Sequence, residues 1–189
     1  MSLGASWGVT EAERRAPFPC DARCAAPDVA LFRGVTVAAP PPLLFRWLCQ
    51  LRAAPYSYDW LDNGGRRSPQ ALTPGLEGLA KGQRVMTIFE LVDFEPDRSL
   101  TIVNRARDGA RRLFGEVWVC YAIRPGPGAD CRLLAKLLVR YPETLTGLVL
   151  RRVLPLGDLV MMRRQLLNLK KLAERDARSA GCSRRPVVL

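Results

Sequence analysis

The longest regular pattern of apolar positions lies near the end of the chain. In PLGDLVMMRRQLLNLKKLAERDAR, residues 155–178, Leu159, Met162, Leu166, Leu169 and Ala173 recur at steps of three and four. That spacing puts them on one side of a 3.6-residue helix. Pro155 and Gly157 precede the run, Asp158 is placed as its N-cap, and Gly181 follows its end. At 1.5 Å per residue such a helix is about 30 Å long, the width of a small domain. Its apolar side must lie on something.

Upstream the period shortens to two. Val29–Val37 (VALFRGVTV), Gln83–Asp93 (QRVMTIFELVD), Ser99–Arg105, Arg112–Arg124 and Cys131–Tyr141 read as strands. Turn signals separate them at Glu95-Pro96-Asp97-Arg98, Asp108-Gly109 and Pro125-Gly126-Pro127-Gly128. In the last strand Arg132, Lys136 and Arg140 face one side, and Leu133, Ala135, Leu137, Val139 and Tyr141 the other. That pattern predicts an antiparallel strand backed by solvent. The basic positions also fit a helical step of four, but the succession of hairpins favours a strand. Leu43–Leu51 predicts a short helix with Leu44, Trp47, Leu48 and Leu51 inside, started by Pro40-Pro41-Pro42 and ended by Pro55. Residues 56–81 are rich in Pro and Gly after an aromatic start, as in a lid or binding loop. Residues 145–154 read as a linker or short strand.

The expected fold class is therefore α+β, a curved antiparallel sheet wrapped around a long C-terminal helix. Residues 29–178 form the domain, with a flexible leader at 1–28 and a tail at 179–189.

Composition changes this picture mainly by exclusion. The 189 residues carry 29 basic and 18 acidic side chains, a net charge of +11, and no histidine. Without histidine there is no Ser-His or Cys-His pair, no histidine base near neutral pH and no histidine zinc site. The arginines are scattered singly or in pairs, so no concentrated nucleic-acid surface is expected. Cys49, Cys120 and Cys131 fall in apolar patterns that predict buried free thiols. Cys20 and Cys24 are too loosely framed for a metal half-site. No phosphate loop, dinucleotide fingerprint or paired CxxC is present, so neither metal nor cofactor is expected. No signal peptide is evident and no apolar run is long enough to span a bilayer, so a cytoplasmic protein is the default.

The strand ending in Ala-Pro-Pro, followed at once by the Trp-containing helix (AAPPPLLFRWLCQL), resembles the START-like or SRPBCC superfamily. PYSYDWLDN and LTPGLEGLAKGQ are similar to segments of bacterial members described only as SRPBCC or polyketide-cyclase-like. The resemblance covers about residues 29–178. It implies a helix-grip fold with an apolar cavity between sheet and helix. It carries over no catalytic set.

A cavity of that kind needs apolar walls and a few convergent polar groups. The candidates are Trp47, Tyr56, Tyr58 and Trp60 at the mouth, Met86, Ile88, Trp118 and Tyr141 on the wall, and Met162 and Leu166 from the helix. Glu90 and Glu116 are candidate orienting groups. Pointing inward, one of them is held protonated by desolvation and can act as acid or base. In the reversed register both sit outside, paired with Arg84, Arg105 or Arg111, and Val85, Phe89 and Leu91 form the inner face. The reversed register is preferred.

The expected function is binding of a small apolar or aromatic ligand, lipid- or polyketide-like. Two alternatives stay open. One is a cyclase or aromatase using a cavity carboxylic acid. The other is a protein- or membrane-interaction module using the aromatic loop or the basic helix side around Arg163, Arg164, Lys170, Lys171 and Arg175. That side is read first as solvated. Oligomeric state is not encoded in any pattern found.

Overall fold

The computed structural model of the chain describes residues 4–24, 26–105, 109–126 and 130–182. Strands β1 (Ser6–Trp7), β2 (Val29–Val37), β3 (Arg84–Val85), β4 (Phe89–Glu95), β5 (Ser99–Asn104), β6 (Glu116–Pro125) and β7 (Cys131–Arg140) form one sheet. Their order is β1-β2-β7-β6-β5-β4-β3. All neighbours are antiparallel except β1, which runs parallel to β2. The helices are α1 (Glu11–Arg15), α2 (Pro41–Cys49), α3 (Asp59–Asp62), α4 (Ala110–Phe114) and α5 (Leu145–Cys182). The α+β class and the gripped C-terminal helix follow the sequence pattern.

Register sorts the side chains into two faces. Leu91, Ile102, Val119, Leu137 and Leu31 stand side by side across five strands, all buried. They form the concave face, where α2 and the C-terminal part of α5 pack. Leu44, Trp47, Leu48 and Leu51 meet Leu166, Leu169, Leu172 and Ala173 in one core. Polar side chains fix the grip. Trp47 Nε1 donates to Asp176 at 3.1 Å, Asn168 donates to the Tyr56 carbonyl at 2.8 Å, and Lys170 to the Thr36 carbonyl at 2.8 Å.

The opposite row is Glu90, Val103, Trp118, Leu138 and Ala30. This convex face is not backed by solvent. Residues 5–24, expected as a flexible leader, cross it. Phe18, Cys20 and Cys24 pack against Cys120, Ala122, Leu134 and Leu138. A capping box between Thr10 and Glu13 starts α1. Glu13 then takes a bidentate pair from Arg132 at 2.7 and 2.9 Å, which holds its carboxyl below the usual range. Lys136 pairs with Asp21 and lies over Phe18 and Phe32. Arg132 and Lys136 therefore clamp this segment rather than meet water, while Arg140 is exposed beside Glu116. The five described free cysteines are all buried.

Three boundaries differ from the pattern. Gln83–Asp93 is not one strand. Met86 adopts a left-handed backbone with φ of 52°, its N–H leaves the ladder for the Leu51 carbonyl, and the chain folds back as the hairpin of β3 and β4. Residues 110–114 form α4 before β6 begins, because Gly115 turns the chain with φ of 78°. The expected linker 145–154 is the start of α5, and Pro155 lies inside that helix. Proline removes one backbone bond, to the Arg151 carbonyl. Leu150 and Leu154, packed on the core, outweigh that single loss. Asp158 is consequently three turns into the helix and caps nothing.

Candidate functional site

The sheet and α5 do not close completely. A cavity of about 520 Å³ remains between them. Its floor is the concave sheet, through Phe89, Asn104, Val117, Val119, Tyr121 and Leu137. Its roof is α5, through Leu154, Asp158, Met161, Met162 and Gln165. Its rim carries Ser57, Leu61, Asp62, Met86, Ile88 and Phe114.

Tyr121, Gln165, Asn104 and two carboxyls are among the polar groups that line this apolar space. Tyr121 donates to Gln165 Oε1 at 2.6 Å, and Gln165 Nε2 donates to the Pro55 carbonyl at 2.7 Å. Full burial pushes the Tyr121 phenol well above its ordinary value, so it stays neutral. Asn104 is satisfied at both ends, donating to the Gly115 carbonyl and accepting from the Val117 N–H. Its amide holds the α4–β6 corner. The other two groups are carboxyls. Asp62 is raised by burial, and its Oδ1 has no hydrogen-bond partner. Asp158 is pushed up to about 6 by burial, although Arg33 pulls it down.

Arg33 is the most unusual side chain near the site. It shares the concave face with Leu31, Val35 and Val37 and is fully buried. Its guanidinium donates to Asp158 Oδ2 at 2.8 Å and to the Pro155, Ala5 and Phe32 carbonyls. One arginine thus ties β1, β2 and the proline turn of α5 together. An isolated buried charge is costly, so this pair must stand or fall as a unit.

The structure divides the residues expected at the site. Met86, Ile88 and Met162 line the cavity. Trp47, Tyr56, Tyr141 and Leu166 are in the sealed core, with Trp47 and Tyr56 edge to face at 6.0 Å. They are not at a mouth, because α2 and the following turn fold beneath α5. Tyr58 lies under the Arg164 guanidinium, and Trp60 is 74% exposed. Trp118, Glu90 and Glu116 are on the convex face. Glu116 is paired with Arg111 at 2.8 Å and accepts from Trp118 Nε1. The reversed register therefore holds, and neither glutamate enters the cavity.

Asp158, Asp62, Tyr121 and Gln165 were not singled out by the sequence. The available signal was Arg33, a lone charge among apolar inward positions of a strand, which calls for a buried carboxylate somewhere else in the chain.

Around the rim the surface is apolar. Leu61 and Ile88 are part of it, and along the N-terminal half of α5 Leu148, Val149, Val153 and Val160 are exposed. No described helix is long and apolar enough to cross a membrane.

No protein-family model matches the chain, and no curated protein matches its sequence. Solved structures do match its fold. The Zhui aromatase/cyclase from Streptomyces sp. R1128 aligns with a TM-score of 0.52 at 18% identity, over 80% of this chain and 97% of its own. Protein MLL2253 from Mesorhizobium loti aligns with a TM-score of 0.51 at 16% identity, over 77% of this chain and 97% of its own. The chain shares the helix-grip fold of these structures.

Proposed function

We propose that this chain binds a small, mainly apolar molecule between its sheet and α5. The observation that carries the reading is the cavity itself. Its volume of about 520 Å³ falls within the roughly 300–1,000 Å³ of ligand pockets, and its make-up, apolar walls with a few polar groups, is also theirs. Affinity comes from apolar burial, at about 25 cal/mol per Å² before ordering costs. Native mass spectrometry of the purified chain, followed by titration with dodecanol, tests this. A bound molecule and saturable dodecanol binding are expected. Val119→Phe, which fills the floor, should weaken that binding by at least about tenfold, roughly 1.4 kcal/mol, while the fold persists. Dodecanol affinity unchanged by Val119→Phe overturns the assignment.

The position of Asp158 favours a second reading, proton transfer on a bound substrate. A carboxyl near 6 in a cavity wall can exchange a proton near neutral pH. An aromatase/cyclase built on the same fold is in keeping with that use. The glutamate version of the idea is dropped, since both glutamates face away. Incubation with a poly-β-ketoacyl thioester decides it. Catalysis gives a cyclised product that falls with Asp158→Asn, and a product mixture identical to the protein-free control excludes it.

A further inference from the structure

A second pocket of about 400 Å³ adjoins the first and differs from it in chemistry. The two share Pro55, Met86 and Thr87 as common walls. The second is lined by Arg52, Arg66, Arg84 and Asn63. Several other arginines meet carboxylates, among them Arg33, Arg46, Arg111, Arg132 and Arg151. These three do not. Arg52 is held by the Leu76 and Gly78 carbonyls at 2.9 and 3.2 Å. Arg66 and Arg84 form no ion pair among the described residues. Three arginines thus line one pocket, with Glu90 standing opposite Arg84 in the β3–β4 pair, and a bound anion offsets the repulsion among like charges. Arginine is also the side chain best shaped to grip a carboxylate or phosphate through paired N–H donors. Arg52 is already oriented by its backbone contacts, which reduces the ordering cost of such a grip.

The wall between the pockets carries backbone strain. Met86 has a positive φ of 52°, an uncommon state for a residue with a side chain. Gln165 of the main cavity donates to its sulfur. Strain of this kind persists where the surroundings impose it, and it clusters at ligand sites. Here it sets an adaptable thioether between an apolar space and a cationic one.

We propose that the arginine pocket receives the anionic head of the ligand whose apolar body fills the main cavity. The ligand class is then an amphipathic carboxylate or phosphate. This inference rests on the cavity reading above, and the test separates the two.

Dodecanol, dodecanoate and dodecyl phosphate, each below its micelle concentration, are titrated into the full chain by calorimetry at low salt. At least one anion should bind about tenfold or more tightly than the alcohol, a factor worth roughly 1.4 kcal/mol. Added salt should narrow the gap. The anion that gains more identifies the headgroup. The double variant Arg66→Gln/Arg84→Gln should abolish the preference and leave dodecanol unchanged, with an unaltered thermal midpoint because both side chains are exposed. A control, Arg15→Gln/Arg98→Gln, removes the same net charge at exposed sites away from the pocket and should keep the preference. Equal binding of alcohol and anions overturns the arginine site and leaves the cavity reading standing. The same holds if the control erases the preference as fully as the pocket variant. Failure of all three ligands overturns both.

Discussion

The two ends of α5 use similar residues to different effect. From Leu166 to Ala173 the helix seals. Leu166, Leu169, Leu172 and Ala173 have no more than 3% of their surface exposed, and each meets sheet or α2. From Leu145 to Met162 it does not seal. Leu154, Met161 and Met162 look onto open volume, while Leu148, Val149, Val153 and Val160 face outward. Pro155 and Gly157 interrupt this end, and a buried ion pair holds it. The contrast shows that the cavity is made less by the sheet, which is continuous beneath both ends, than by the helix. One end carries side chains that interlock, and the other carries side chains that leave room.

The sharpest way to break the contrast is to remove Arg33. Arg33→Ala should cost about 3–5 kcal/mol in chemical denaturation, because Asp158 is left buried without its partner. The Asp158 carboxyl should then titrate higher still, since the guanidinium that lowers it is gone. A loss below about 1 kcal/mol would mean that the proline turn is held by packing alone.

The next test sets the two ends against each other. Leu169→Ala should cost about 3 kcal/mol, within the usual range for a fully buried leucine. Met161→Ala borders the cavity and leaves little new void, so its cost should stay below about 1 kcal/mol. Equal losses would show that the N-terminal end is as tightly packed as the other.

The pH dependence sharpens the comparison further. Asp158 titrates near 6 when folded, against an ordinary value of 3.8. The folded chain therefore holds a proton that the unfolded chain has lost. The stability this contributes is complete below about 3.8 and disappears as pH rises through about 6. Glu13, Asp93 and Glu174 are shifted downward and work in the opposite sense. The difference between the wild-type chain and Asp158→Asn isolates the one group. Thermal midpoints should show the variant gaining on the wild type between about pH 4 and 6.5. Parallel profiles would place Asp158 in an ordinary, solvated state.

The smallest effect concerns Gly157. A methyl group there would meet no atom within 4 Å. Gly157→Ala should stabilise by about 0.5–1 kcal/mol, the usual helix-interior difference, as read by thermal melting.

Much of the fold was legible because it rests on local periods. The alternation of β7 put Leu133, Ala135, Leu137 and Val139 on one face and Arg132, Lys136 and Arg140 on the other, as the register has them, and the stripe from Leu166 to Ala173 marked the sealed part of α5. What escaped was decided by partners far along the chain. Nothing local to Pro155 says that a helix passes through it, since Leu150 and Leu154 earn their place only against the folded core. Nothing near Asp158 names Arg33, which is 125 residues away. The hairpin at Met86 hid for a related reason. The turn leaves the alternation in step, with Val85 paired to Phe89 and Arg84 to Glu90, so the pattern reads straight through Met86 as if one strand continued.

The sheet's outermost strands have a further consequence. β1 and β3 are two residues each, and β3 contains an exposed arginine. An incoming chain finds almost no free ladder to extend and meets positive charge where it tries. Fibrillar growth through the sheet is therefore disfavoured at both borders. A concentrated solution of this protein should stay free of cross-β material even though its cavity rim displays apolar side chains.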